Sequence, residues 1–243
     1  MIRHIPFEGP LNFRDIGGYP VTGGGITRWR AVYRSDSLHR LTEGDLLAFD
    51  ALGVKAIYDL RRPSELSRFP GPRAYVHLEI AGGDIAKAVV AGLRTRRDGQ
   101  EWLAADYLSM LTAAAPAFGT LLSRLADGGQ LPAVVHCLGG KDRTGLAIAL
   151  LLTALGVDRD TVLDDYELTS QYYAARVPEV VDAFAALGIA RPAGEGLLST
   201  PRWTMAQALQ ELDRAYDGIE PYLLGPAGLP PGALRALRAS LTG

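Results

Sequence analysis

The chain is predicted to be an α/β protein: a central, mainly parallel sheet flanked by helices, ending in a helical C-terminal portion. Three observations predict it. Short apolar runs bounded by turn residues alternate with helix-patterned segments through the first half of the chain. Ala133, Val134 and Val135 then lead through a glycine turn into the apolar stretch 146–152, the strand–turn–helix order of a parallel unit. Beyond Asp158 the pattern is helical. With 243 residues, 48% hydrophobic and 21% charged, there is material for a sizeable core. One domain spanning 1–243 is expected, with 158–243 mostly helical and folded over the site the sheet presents.

Thr22-Gly23-Gly24-Gly25 reads as a turn between two early extended pieces, and residues 29–33 as a strand. Thr42 is an N-cap with Asp45 three residues on, and Leu46, Leu47, Phe49 and Leu52 recur at helical spacing up to Gly53. Residues 54–60 form the next strand and 75–80 another. Residues 84–112 are helical but broken by the polar patch 94–99, a surface loop or mobile flap. Residues 115–126 make a helix closed by Asp127-Gly128-Gly129, and Pro132 opens the strand that leads to Cys137. Thr200-Pro201 gives a cap with proline at the first helical position, and the polar stretch 191–199 separates two helices.

A net charge of −2 removes any global basic field that would recruit nucleic acid or an anionic membrane, so attraction for an anion must be local. Cys137 is the only cysteine, which rules out an internal disulfide and a cysteine-based zinc site. The first residues carry no secretory apolar region, and the longest apolar run, 146–155, is too short to span a bilayer. A cytoplasmic location is the default expectation, with export by a signal-less route left open. The sequence says nothing of oligomeric state.

The run from His136 to Gly145, His-Cys-Leu-Gly-Gly-Lys-Asp-Arg-Thr-Gly, carries the chemistry. A buried strand, a tight turn and a helix start aim backbone N–H groups and the positive end of a helix dipole at one point. Six residues separate the Cys137 sulfur from the Arg143 guanidinium, enough backbone for Leu138, Gly139, Gly140, Lys141, Asp142 and Arg143 to ring three phosphate oxygens. Gly139 and Gly140 allow the φ values and close approach that side chains would block. Arg143 grips two oxygens at once, which lysine cannot copy. The same donors favour a thiolate, giving a nucleophile and a preformed stabilisation of transition-state charge. His136 is placed to hydrogen-bond the loop backbone, and Thr144 to donate to the sulfur.

His-Cys-x5-Arg-Thr resembles the signature of the protein tyrosine phosphatase superfamily. With Gly-Lys-Asp-Arg-Thr-Gly, residues 12–19 (Asn-Phe-Arg-Asp-Ile-Gly-Gly-Tyr), Tyr33-Arg34-Ser35-Asp36 and Asp59-Leu60-Arg61, the chain is similar to the bacterial atypical tyrosine/dual-specificity phosphatases over at least residues 11–170. That resemblance implies a tyrosine phosphatase-like fold, metal-free hydrolysis without a cofactor, phosphotyrosine and sometimes phosphoserine, phosphothreonine or phosphoinositide substrates, and inorganic phosphate as product.

A carboxylic acid must protonate the leaving oxygen. Asp142, inside the loop, is the first choice, because a bound dianion beside it favours the protonated form. Asp59, at a strand end facing the same crevice, is the second, with a shared role open; Asp106 and Asp84 are weaker candidates. Lys141 adds local positive charge that suits a phosphoinositide or inositol-phosphate head group, or else is a solvated rim lysine. Arg61 and Arg62 are placed near the mouth. Asn12 and Asp15 read as a bracing turn, and Tyr166, Tyr172 and Tyr173 as core or as an apolar wall for an aryl group. Besides the tyrosine phosphatase reading stand a phosphoinositide phosphatase, a catalytically idle phosphate-binding module and, last, a sulfurtransferase.

Overall fold

A computed structural model describes the chain from Met1 to Gly243. Five strands, β1 (Arg14–Asp15), β2 (Val32–Ser35), β3 (Ala56–Asp59), β4 (Val76–His77) and β5 (Ala133–His136), form one sheet in the order β1-β2-β5-β3-β4. All neighbours are parallel except the antiparallel pair β1–β2. This is the mainly parallel α/β sheet the sequence predicts.

Helices α1 (Glu43–Ala51) and α2 (Pro63–Arg68) flank β3 in the chain. Between β4 and β5 come α3 (Ile85–Val90), α4 (Arg96–Ala113) and α5 (Ala115–Ala126). The helix α6 (Arg143–Leu155) follows β5. The rest of the chain is α7 (Arg159–Tyr172), α8 (Val177–Ala186), α9 (Arg191–Leu198), α10 (Arg202–Tyr216), α11 (Ile219–Leu224) and α12 (Ala233–Leu241).

Strand residues alternate between two apolar layers, as the two-residue period requires. Tyr33, Ile57 and Val134 pack with Phe7, Phe13, Leu38 and Phe49 on one face. Val32, Ala56, Tyr58, Ala133 and Val135 face the larger core, which draws residues from Ile16 to Leu241. At its centre lies α6, buried along its length except at Thr153 and closed by Gly156 in the left-handed region (φ 87°).

Several boundaries differ from the sequence reading. The strand expected at 29–33 begins at Val32, because Arg30 turns at φ 58°. The strand expected at 75–80 pairs only through Val76 and His77, both exposed at the sheet edge. The polar patch 94–99 is neither loop nor flap but the start of α4: Thr95 accepts the Asp98 N–H, and Asp98 accepts the Thr95 N–H in return. Gly99 in that turn is buried against α9, where a Cβ would stand 2.3 Å from the Ala193 carbonyl oxygen. The polar stretch 191–199 is itself helical as α9. Pro201 occupies the N-cap of α10 rather than its first turn, and Thr200 hydrogen-bonds Ser170 instead of capping.

Candidate active site

Parallel pairing levels the C-terminal ends of three strands, with His136 opposite Ser35 on one side and Asp59 on the other. The chain leaving β5 therefore emerges between two neighbours and turns through residues 137–142 into α6. This is the crevice where open α/β sheets bind ligands.

Donors behind the loop dictate its shape. The Ser37 N–H donates to the Leu138 carbonyl at 3.0 Å. Asn12 Nδ2 donates to the Gly139 and Gly140 carbonyls at 3.3 and 3.1 Å, and Arg34 Nη2 to Gly140 at 2.9 Å. His136 Nδ1 reaches the Cys137 carbonyl at 3.2 Å; a carbonyl only accepts, so Nδ1 carries the proton. With these carbonyls drawn to the protein side, the backbone N–H groups of Leu138 through Arg143 donate to no protein acceptor. Gly140 sits at φ 63°, and a Cβ there would lie 2.4 Å from the Ser35 carbonyl oxygen. Gly139 has neither a positive φ nor such an approach, so only one of the two glycines is required by the protein itself.

The brace continues inward. Asp165, on α7, accepts from Arg14 Nε at 3.1 Å, from Tyr19 Oη at 3.0 Å and from Arg34 Nη1. Burial alone would push the Asp165 carboxyl up; Arg14 and Arg34 outweigh it and hold the group well below the usual carboxylate range. Burial and the neighbouring Arg34 push Arg14 down to about 10. Asn12 thus belongs to a buried scaffold, while Asp15 ties the Gly17 and Arg30 N–H groups, both at 2.8 Å.

Cys137, 2% exposed, lies at the floor. Arg143 is gripped by Glu65 through two bonds, Nη1–Oε2 at 2.6 Å and Nη2–Oε1 at 2.9 Å. Burial would lower the Arg143 proton affinity, but the Cys137 sulfur, Glu65 and Asp142 more than compensate and raise it. Burial likewise pushes the Glu65 carboxyl up, and the Arg143 fork overrides this to bring it down to about 2. A depressed carboxylate contributes stability above its unfolded value, so this pairing persists through the mildly acidic range and is lost as pH falls from about 4.5 through about 2. Sequence reasoning missed Glu65, since a glutamate two residues after Pro63 reads as an ordinary helix-start acid. It does cap α2, accepting the Arg62 N–H at 2.8 Å. Glu65→Gln should lower kcat/KM about 10- to 100-fold, as expected for weakening a hydrogen bond to a charged group worth about 1.5–3 kcal/mol; steady-state kinetics on an aryl phosphate reads this out.

The carboxylates part company. Asp59 is buried and takes Arg61 Nε at 2.9 and 3.0 Å, Arg61 Nη2 at 2.6 Å and the Arg61 N–H at 3.1 Å. His136 Nε2 stands 3.4 Å away. Burial works against the ionised Asp59 but the Arg61 bonds and His136 prevail, keeping it below its ordinary value. With both of its oxygens bonded to Arg61, Asp59, the second candidate acid, serves as a strut for that arginine. Asp84 caps α3. Asp106 accepts the Gly83 N–H at 2.8 Å, and its carboxyl is raised by burial and by Asp142 nearby. Asp142 occupies the N-cap of α6 yet makes no capping bond. Its Oδ1 accepts a hydrogen bond from Tyr107 Oη at 2.6 Å, and the Lys141 ammonium pairs with the same oxygen at 2.7 Å.

Lys141 is not the solvated or head-group-seeking lysine the sequence suggests. It is buried, and its ammonium also donates to the Leu197 and Ser199 carbonyls at 2.6 and 3.3 Å, at the end of α9. Arg61 does not line the mouth: it is fully buried, bonding Ser37 Oγ and the Phe69 carbonyl. Arg62 pairs with Glu65 and Asp84 at 3.5 and 3.7 Å. Thr144 Oγ1 is buried without a hydrogen bond and so does not donate to the sulfur here. Among the tyrosines, Tyr166 is core and Tyr172 stacks on His4 with ring centroids 4.0 Å apart. Tyr173 faces the loop, its hydroxyl 4.0 Å from where a Gly139 Cβ would be.

A thiol followed by a run of unpaired amides and a clamped arginine, at the C-terminal edge of a mainly parallel sheet, is an arrangement suited to holding a phosphoryl group beside a sulfur. The comparisons agree: residues 5–243 match the model of the tyrosine phosphatase family, and the chain belongs to that family. It is 30% identical over 91% of its length to a protein of Cupriavidus necator provisionally named a tyrosine-protein phosphatase, covering 83% of that relative. It is 26% identical, over 100% of its length and 99% of the relative's, to the triple specificity protein phosphatase PtpB of Mycobacterium tuberculosis. A tyrosine-protein phosphatase of Nostoc commune is 30% identical over 58% of this chain and 49% of its own length. No helix is long and apolar enough to cross a membrane.

Proposed function

We propose that the protein hydrolyses phosphotyrosine, and also phosphoserine or phosphothreonine, through a phosphocysteine intermediate. The observation that carries this is the row of backbone N–H groups from Leu138 to Arg143, directly following Cys137 in the chain, with no protein acceptor. Six donors and a forked guanidinium match a phosphoryl dianion and the equatorial charge of its transfer. Sulfur attacks phosphorus, the S–P bond forms, and the P–O bond breaks with its electron pair leaving on the ester oxygen. Asp142 delivers the proton that oxygen needs. In the second half, Asp142 takes a proton from water, the water oxygen bonds phosphorus, and the S–P bond breaks to regenerate thiolate and release phosphate. The name of the mycobacterial relative supports a broad substrate range.

Charge and nucleophile both come from the chain itself, so turnover of an aryl phosphate should be unaffected by a chelator. A panel of phosphotyrosyl, phosphoseryl and phosphoinositide substrates, run on wild type and on Asp142→Asn, Asp59→Asn and Asp106→Asn, tests the rest. Asp142→Asn should cost about 10²–10⁴-fold in kcat, the range for a general acid. Phosphoinositide turnover exceeding peptide turnover would overturn the substrate assignment, and a larger loss in Asp106→Asn would overturn the choice of acid.

A further inference from the structure

Asp142 does not do what an aspartate at a helix start ordinarily does. N-cap aspartates accept the N–H groups of their own first turn, whereas this side chain is turned away from α6 and makes no such bond. It is met instead by a line of hydroxyls from three helices. Tyr107, on α4, donates its Oη–H to Asp142 Oδ1 at 2.6 Å. Tyr166, on α7, lies 2.7 Å from Tyr107 Oη, the two rings edge-to-face with centroids 6.1 Å apart. Thr204, on α10, sits 3.3 Å beyond Tyr166 and gives its own proton to the Pro201 carbonyl at 2.8 Å.

Proton counting fixes the direction of this line. A phenol has one hydrogen to give. Tyr107 spends its hydrogen on Asp142, so the short contact between the two phenols requires Tyr166 to donate to Tyr107. Both phenol O–H groups thus point toward the carboxylate, while the Thr204 hydroxyl is anchored to Pro201. Lys141 Nζ arrives at the same oxygen, 2.7 Å away. The Tyr107 hydrogen bond and the Lys141 charge both meet Asp142 at Oδ1, while no hydrogen bond of the protein reaches Oδ2. A proton is disfavoured on Oδ1, which accepts from Tyr107 and faces the Lys141 ammonium, and the side chain, 24% exposed, keeps Oδ2 free of protein partners.

We propose that Tyr107, backed by Tyr166, is the positioning residue of this enzyme: it holds Asp142 off its helix and confines the transferable proton to Oδ2, the oxygen presented to the leaving group. The proposal rests on Asp142 being the general acid. The tyrosines are not acids themselves. Burial, with Asp142 and Tyr166 adding to it, raises Tyr107 well above its ordinary value, and burial also raises Tyr166, so both keep their hydrogens at any working pH. Both are fully or nearly fully buried, which holds the line rigid and dry.

The test is the dependence of kcat/KM on leaving-group basicity across a series of aryl phosphates. A proton delivered efficiently makes the rate insensitive to the leaving group; a misplaced proton makes poor leaving groups suffer most. Tyr107→Phe should slow phenyl phosphate about tenfold more than 4-nitrophenyl phosphate and steepen the slope, with inorganic phosphate binding unchanged. Tyr166→Phe should do the same more weakly. In an Asp142→Asn background, Tyr107→Phe should add nothing. A uniform loss across the series, or a full additional loss in that background, overturns the positioning role. If Asp142→Asn itself leaves the slope flat, the general-acid assignment fails instead, so the two failures are told apart. Circular dichroism melts on both phenylalanine variants guard against a folding defect, and Tyr166→Phe serves if Tyr107→Phe does not fold.

Discussion

Cys137→Ser should abolish turnover, lowering kcat on an aryl phosphate by at least about 10⁴-fold, because the attacking atom is lost and serine has no base to activate it. The replacement is nearly isosteric. Cys137 is 2% exposed among the buried residues of the main core, and exchange of sulfur for oxygen leaves the Arg34, Asn12 and Ser37 bonds that shape the loop untouched. Thermal stability should therefore change little. Binding of inorganic phosphate, measured by calorimetry, should survive, since the amides from Leu138 to Arg143 and the guanidinium supply it. Loss of activity with retention of the anion is the combination that separates a missing nucleophile from a collapsed loop. Turnover within tenfold of wild type would refute the nucleophile, and loss of both properties would show the thiol to be structural.

The parts of this site legible from sequence are those encoded locally. The strand–turn–helix order around Cys137 follows from a short apolar run, a glycine that must adopt φ 63°, and a long apolar helix, all within neighbouring residues. The Thr42–Asp45 capping box and the helix Ala115–Ala126 were equally plain, because caps and breakers sit beside what they terminate. What was not legible lies far off in the chain. Glu65 clamps Arg143 across 78 residues, Arg34 holds Gly140 across 106, and Tyr107 reaches Asp142 across 35. None leaves a periodic trace, since each is a single polar residue in an otherwise ordinary helix or strand. Lys141 misled for the opposite reason: its neighbours promised an anion, but carbonyls at the end of α9, 56 and 58 residues away, had claimed it. The patch 94–99 misled because its charges look solvated, whereas Thr95 and Asp98 there form a cap and Gly99 a packing contact.

Asp165→Asn should be the most damaging single change to stability, costing about 3–5 kcal/mol, or roughly 6–20 °C in Tm. Two fully or nearly fully buried guanidinium groups depend on this carboxylate, Arg14 through Nε at 3.1 Å and Arg34 through Nη1. Water reaches neither, so removing the charge leaves both cations in a low-dielectric interior with only dipoles around them. The Asp165 main-chain carbonyl, which accepts Arg14 Nη2 at 2.8 Å, remains but carries no compensating charge. Asp160 provides the contrast. It pairs with Arg202 at 2.8 Å but is 85% exposed, and Arg202 retains Asp164 and Glu167, so Asp160→Asn should cost under about 1 kcal/mol. The buried change should also weaken phosphate binding, because Arg34 is the donor that draws the Gly140 carbonyl away from the anion cradle. Thermal melts of the two variants, with phosphate titrated into each, measure both effects. Equal stability losses at Asp165 and Asp160 would show the interior charges to be solvated, and a destabilised Asp165→Asn variant that still bound phosphate with native affinity would uncouple the brace from the loop.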